Sequence, residues 1–294
     1  MLTLITPTGA RPEAFDLCQR MMLAQTYTGP VHWIIVDDGP AQQEVWFRRD
    51  GWEVDVYRPE QLWRLGQNTQ QRNLQIGLGA VDRAKTRALM VIEDDDYYGP
   101  EWLQFVDEQI EHAELIGEGW AIYYNVYYRT WDRLNNDAHC SLRCSAMRGA
   151  AIDTFESVLS FPNKYYDQQL WKRHPDRLVF PRLYTVGIKG MPGRAGIAIG
   201  HDRGGNSDPE LGRLDELIGP FSTNYRAFRE GSAELKTKLI CVHDFEYAGR
   251  RFRGGDIFDA RTAADAEVFC RLGKVARVSS RISLTQQQEV TYVN

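Results

Sequence analysis

The sequence predicts an α/β fold built on a parallel sheet, and two observations carry that expectation. Short apolar segments rich in β-branched residues recur at Leu2 to Thr6, Val31 to Val36 and Arg87 to Ile92, each the length of a buried strand. Each ends abruptly in polar residues and is followed by a segment of helical character, the alternation that places parallel strands between layers of helices.

The elements follow in order. Leu2 to Thr6 ends in Thr6-Pro7-Thr8-Gly9, and Pro12 suits the first turn of the helix that follows. Val31 to Val36 runs into Asp37-Asp38-Gly39, a strand-ending turn by composition. A short strand at Val54 to Tyr57 and a helix from Asn68 to Asp82 lead to the strand Arg87 to Ile92, which runs directly into Glu93-Asp94-Asp95-Asp96. A helix begins near Pro100-Glu101-Trp102. Trp120 to Trp131 has tyrosine-rich strand character, and helical stretches are expected at Arg148 to Leu159 and Tyr165 to Arg173. Residues 187 to 205, glycine-rich and broken by Pro192, read as a loop over the site. Beyond residue 235 the pattern resets: Lys238 to Tyr247 reads as a strand, Ala248-Gly249-Arg250 as a turn and Asp265 to Leu272 as a helix. The expected division is therefore a domain over residues 1–235 and a small α+β module of strands and one helix over 236–294.

Composition narrows the function classes. The 294 residues are 43% hydrophobic and 26% charged, an ordinary globular balance. A net charge of -5 argues against a surface that traps polyanions throughout, though not against a local basic groove. No apolar run is long enough to span a membrane and no basic leader precedes one, so a cytoplasmic protein with no membrane partner is expected. Five cysteines without a framework read as reduced thiols. His139, Cys140 and Cys144 lack a convincing fourth zinc ligand.

The chemistry gathers at the strand ends, because ligands of open α/β sheets bind outside the carboxyl ends of the strands. Four consecutive acids repel one another unless a cation neutralises them, and hard carboxylate oxygens suit Mg2+ or Mn2+. Such a metal, bridging two phosphates, would stabilise a departing nucleoside diphosphate. Alone, the run also reads as an acidic surface turn before the helix at Pro100.

Four segments in order make the pattern specific: Leu4-Ile5-Thr6-Pro7-Thr8, Ile34-Ile35-Val36-Asp37-Asp38-Gly39, Gln71-Arg72-Asn73 and Val91-Ile92-Glu93-Asp94-Asp95-Asp96-Tyr97-Tyr98-Gly99-Pro100. Together they resemble the successive motifs of the family 2 glycosyltransferases of GT-A fold. The resemblance implies a Rossmann-like mixed sheet and an inverting, metal-dependent transfer from a nucleotide-sugar, most often a UDP-sugar, to a hydroxyl. It further implies that Thr6, Pro7, Thr8, Asp37 and Asp38 cradle the nucleotide and that Arg72 lies beside it, with Asp94 and Asp95 in the same donor set. The metal motif alternates acids, which allows Asp94 with Asp96 or Glu93 with Asp95; Asp94 with Asp96 is the preferred register. Tyr166-Asp167-Gln168-Gln169-Leu170 resembles the family's acid-x-x-Leu segment, which makes Asp167 the candidate base; its other reading is an acid favoured at a helix N-terminus. Lys189 and Arg194, within the glycine-rich stretch, suit a loop closing on diphosphate, and His201 is the candidate third metal ligand.

The aromatic residues from Trp120 to Trp131, with Trp171, are either core or a stacking platform for the acceptor. Cys241 to Asp256 looks like a short module of tailed-phage proteins. That likeness implies a phage-encoded enzyme in the host cytoplasm that glycosylates a 5-hydroxymethylpyrimidine of DNA, with Arg250, Arg251 and Arg253 against phosphate. A protein or surface glycan as acceptor, and a non-catalytic sugar- or DNA-binding protein of the same fold, are the alternatives.

Overall fold

A computed structural model describes residues 1–64, 67–162, 165–194, 205–228, 238–241, 244–247, 250–253, 257–259 and 275–277. The chain runs β1 (Leu2–Thr8), α1 (Pro12–Leu23), β2 (Val31–Asp37), β3 (Trp52–Tyr57), α2 (Gln70–Gly79), β4 (Ala88–Val91), β5 (Tyr97–Tyr98) and α3 (Trp102–Gln109). It continues with β6 (Leu115–Glu118), β7 (Trp120–Asn125), β8 (Thr130–Asn135), β9 (Ser145–Met147), α4 (Ala150–Leu159), α5 (Tyr166–Arg173), β10 (Arg177–Phe180), β11 (Thr185–Lys189), β12 (Asn206–Ser207) and α6 (Gly212–Ile218). Five short strands follow: β13 (Lys238–Cys241), β14 (Phe245–Tyr247), β15 (Arg250–Phe252), β16 (Ile257–Asp259) and β17 (Val275–Arg277).

The main sheet has seven strands in the order β10-β6-β9-β4-β1-β2-β3. Pairs β1–β2, β1–β4, β2–β3 and β6–β10 are parallel, whereas β9 is antiparallel to both β4 and β6. This is the α/β class with a mixed sheet that the GT-A resemblance implies. β1 and β2 are buried at every position, which explains why they read as continuous apolar runs rather than alternating ones. α1 starts with Pro12 in its first turn and buries Phe15, Leu17, Cys18, Met21 and Met22. Trp33 on β2 packs edge-on against Phe47 and Trp52, closing the sheet toward β3.

A second sheet, β12-β8-β7-β11-β5, stands beside the acidic run. The strand character expected of Trp120 to Trp131 takes the form of the hairpin β7–β8, turned at residues 126–129, where Arg129 has φ 52. Gly187, Ile188 and Lys189 are not loop: they lie in β11, buried and laddered to β7, because Val186 and Ile188 belong to the core. The stretch read as one strand from Lys238 to Tyr247 holds β13 and β14, which belong to different sheets. The helix expected at Asp265 to Leu272 lies outside the described residues, as does His201. Among the described residues no helix is long and apolar enough to cross a membrane.

Candidate active site

Strand register brings the motifs together. Thr8 at the end of β1 pairs with Asp37 at the end of β2, and Ile5 pairs with Val91 of β4. The Ile92 amide continues that ladder to the Ile5 carbonyl at 2.9 Å, so the acidic run leaves the sheet opposite Thr6–Thr8.

The four acids divide by partner. Asp94 accepts the Thr8 hydroxyl at 2.5 Å and pairs with Arg11 at 2.6 Å; Thr8 in turn accepts the Gln43 amide at 2.6 Å. Asp95 meets the other end of the Arg11 fork at 2.7 Å. Asp96 is fully buried, accepts the Ile188 amide at 2.9 Å and Lys189 Nζ at 2.8 Å, and has Arg143 Nε 3.5 Å away. Glu93 accepts the Gln70 amide at 3.3 Å. Carboxylate oxygens of Glu93, Asp95 and Asp96 lie within 4.8 Å of one another.

Electrostatics follow from that crowding. Burial first, then repulsion from Asp96 and Asp95, pushes Glu93 up to about 8 against the pull of Lys189 and Arg143. Asp94 is pushed up to about 6 by burial, with Arg11 the largest opposing influence. Burial works to lower Arg11 and Lys189, but the surrounding carboxylates overcome it and hold both above their usual range.

The nucleotide motif is a second ionic cluster. Asp37 accepts the amides of Gly39 and Gln43, each at 2.9 Å, and pairs with Arg58 at 2.8 Å. Buried Asp38 accepts the Thr69 hydroxyl and pairs with Arg72 at 2.8 Å and Arg194 at 3.0 Å. Arg194 lies over the Trp63 ring, 5.4 Å from its centroid. Its pKa is lowered, first by burial and also by Arg11 and Arg72, against the pull of Asp38. Thr6 points inward, accepting the Trp33 indole at 2.8 Å, and Pro7 is buried within β1.

Asp167 stands in the first turn of α5, half-buried, and accepts the Gln168 amide at 2.8 Å. Burial raises its pKa, opposed by that amide and by His139. Cys140 also feels its charge. His139, Cys140 and Cys144 do not form a ligand group, and Cys18, Cys140 and Cys144 are free thiols among the described residues.

Sequence reasoning missed Arg11, Arg58, Gln43 and Arg143. Arg143 left a signal, a lone cation among the small and apolar residues from Cys140 to Met147. It is 2% exposed, donates to the Thr185 hydroxyl, and lies over Tyr123. Thr185 hands that contact on to Glu118, at 2.7 Å from Oγ1 and 3.1 Å from the amide.

The acid set fits a hard divalent cation. It offers carboxylate oxygens from three residues, and Asp96 Oδ2 is buried without a hydrogen-bond donor among the described residues. Fold and site thus define an α/β protein whose mixed sheet carries, at the strand ends, an acidic cluster beside a cluster of guanidinium groups.

No family model matches the sequence, and no curated protein does. Among solved structures, the fold is similar to S. aureus TarS at TM-score 0.47 and 13% identity, over 64% of this chain and 36% of that one. It is also similar to TarS 1–349 in complex with UDP-GlcNAc, at TM-score 0.49 and 14% identity, over 79% of this chain and 74% of that one. The complex of TarS 1–349 with UDP matches at TM-score 0.49 and 13% identity, over 64% and 60%. This chain spans about a third of the first of these structures.

Proposed function

We propose that the chain is a nucleotide-sugar-dependent, inverting glycosyltransferase. The observation that carries this reading is the adjacency of two groups: Glu93, Asp95 and Asp96, which suit a divalent cation, and the guanidinium groups of Arg11, paired with Asp94 and Asp95, and of Arg72 and Arg194, which share Asp38 and would suit a diphosphate, the Arg194 amide bonding to the Ala10 carbonyl next to Arg11. A cation held there, Mn2+ or Mg2+, would neutralise charge developing on the departing diphosphate. The approach of their oxygens to within 4.8 Å of one another favours Glu93, Asp95 and Asp96 as its ligands over the register with Asp94, whose carboxylate accepts the Thr8 hydroxyl.

The remaining roles belong to the chain's own groups. Asp37 and Asp38 face the base and ribose, where a carboxylate accepts imide or hydroxyl donors. Arg72 and Arg194 exchange Asp38 for phosphate oxygens, Trp63 supporting Arg194 by stacking. Asp167 accepts the proton of the attacking acceptor hydroxyl, and its raised pKa suits a base. Lys189 and Arg143 fix Asp96 rather than reaching the donor. His201 completes the metal shell in this scheme.

Uridine as the base and a 5-hydroxymethylpyrimidine of phage DNA as acceptor are parts of the proposal that rest on sequence resemblance, and the 1–235 and 236–294 division and a cytoplasmic location are parts that rest on the sequence pattern. The test is calorimetric binding of UDP with Mn2+ and with chelator. Metal-dependent binding that is lost in Asp95→Asn supports the reading. Equal binding in chelator removes the metal from it, and no binding of any nucleoside diphosphate removes the reading itself.

A further inference from the structure

We infer that Arg11 is an internal counter-ion that antagonises a divalent cation at the acidic run until a diphosphate takes over its charge, an inference that rests on the nucleotide-sugar reading above. Its guanidinium spans two carboxylates, 2.6 Å from Asp94 Oδ1 and 2.7 Å from Asp95 Oδ2. Asp95 also belongs to the set that suits a metal. A fixed positive charge on one oxygen of a carboxylate weakens the attraction of the whole group for a second cation.

The charge balance points the same way. Glu93 to Asp96 carry four formal negative charges and are met by Arg11, Lys189 and Arg143. At most one negative charge is left uncompensated, too little to hold a bare divalent ion strongly. Of the three cations, Lys189 is 3% exposed and hydrogen-bonded to Asp96, and Arg143 is 2% exposed and held by Thr185 with its Nε 3.5 Å from Asp96, whereas Arg11 is 14% exposed at its side chain. Arg11 Nε, like Arg143 Nε, has no acceptor among the described residues, so both terminal nitrogens of Arg11 but not its Nε are spent on the acids.

The backbone beneath Arg11 couples it to the diphosphate side. Gly9 at φ 142 and Ala10 at φ 59 form the turn before it, and the Ala10 carbonyl accepts the Arg194 amide at 3.1 Å. A Cβ on Gly193 would stand 2.3 Å from that carbonyl, so the segment carrying Arg194 rests directly on the Arg11 turn. Arg11 therefore has a destination beside Arg72 and Arg194, where an arriving diphosphate would gather all three.

The experiment is Mn2+ binding to the full chain, followed by electron paramagnetic resonance of the free ion, with and without UDP. Wild type should bind Mn2+ weakly alone and more tightly with UDP. Arg11→Gln should bind Mn2+ without UDP about tenfold more tightly or better, as expected for removing a unit charge a few ångströms from a divalent ion, and should lose most of the gain from UDP. Arg11→Met also removes the charge and decides the matter should Arg11→Gln fail to fold, a gain of similar size supporting the role and none overturning it, while Arg11→Lys, which keeps the charge, should gain less than either. Unchanged or weaker Mn2+ affinity in a folded Arg11→Gln, with UDP still bound by wild type, overturns the counter-ion role alone. Wild type that binds neither Mn2+ nor UDP overturns it together with the nucleotide-sugar reading.

Discussion

Asp167 is the residue on which the proposed chemistry turns, and its environment makes a pH prediction. Burial raises its pKa, so in a base mechanism kcat/KM should climb with pH through a value above the ordinary carboxylate range. Asp167→Asn should cost at least about 100-fold in turnover and erase that limb, while calorimetry still detects UDP; loss of UDP binding would assign Asp167 to the donor site instead. Glu118 supplies a stability prediction of opposite kind. Burial pushes it up to about 7, above the 4.5 of an unfolded chain, despite the donors from Thr185 and Tyr184. The folded state then binds more protons between those values, so stability should fall as pH rises from 4.5 to 7, by up to about 3 kcal/mol. Urea unfolding should show that slope in wild type and a flatter one in Glu118→Gln. Equal slopes would mean that Glu118 stays ionised throughout. At this scale the acids themselves were legible in sequence, since four in a row at a strand end are conspicuous. Their partners were not: Lys189 reaches Asp96 from 93 positions away, a pairing that only the folded sheet creates.

The element that sets the site is the turn between β1 and α1. Gly9 lies against the nucleotide motif so closely that a Cβ would stand 2.5 Å from Asp38 Oδ1 and 2.6 Å from the Gly39 amide, in a conformation that side chains rarely adopt. Gly9→Ala should therefore destabilise the fold by about 2 kcal/mol and weaken nucleotide binding, measured by thermal melting and calorimetry. A variant with wild-type affinity would show that Asp38 does not touch the ligand. The long apolar strands β1, β2 and β4 could be read from composition because both faces of each are covered. Strand β9 could not, being three residues long and placed by pairing with β4 and β6 rather than by local pattern. The same holds for β11, whose glycine at 187 suggested a loop. A Cβ there would stand 2.6 Å from the Tyr123 ring, so the glycine serves close strand packing beside Arg143.

For the whole molecule, a net charge of -5 coexists with guanidinium groups gathered beside buried carboxylates at one site, an arrangement that suits one anionic ligand without general affinity for polyanions. If residues 236–294 form an acceptor module, deleting them should leave UDP affinity within about threefold while weakening binding to DNA that carries 5-hydroxymethylpyrimidines. Unchanged DNA binding would remove DNA recognition from that segment. The central claim is tested most directly by incubating purified protein and Mn2+ with a panel of nucleotide sugars and measuring release of the nucleoside diphosphate by mass spectrometry. Hydrolysis or transfer from at least one donor, abolished by chelator and by Asp95→Asn, is the predicted result. No nucleoside diphosphate from any donor, with either Mn2+ or Mg2+, would contradict it.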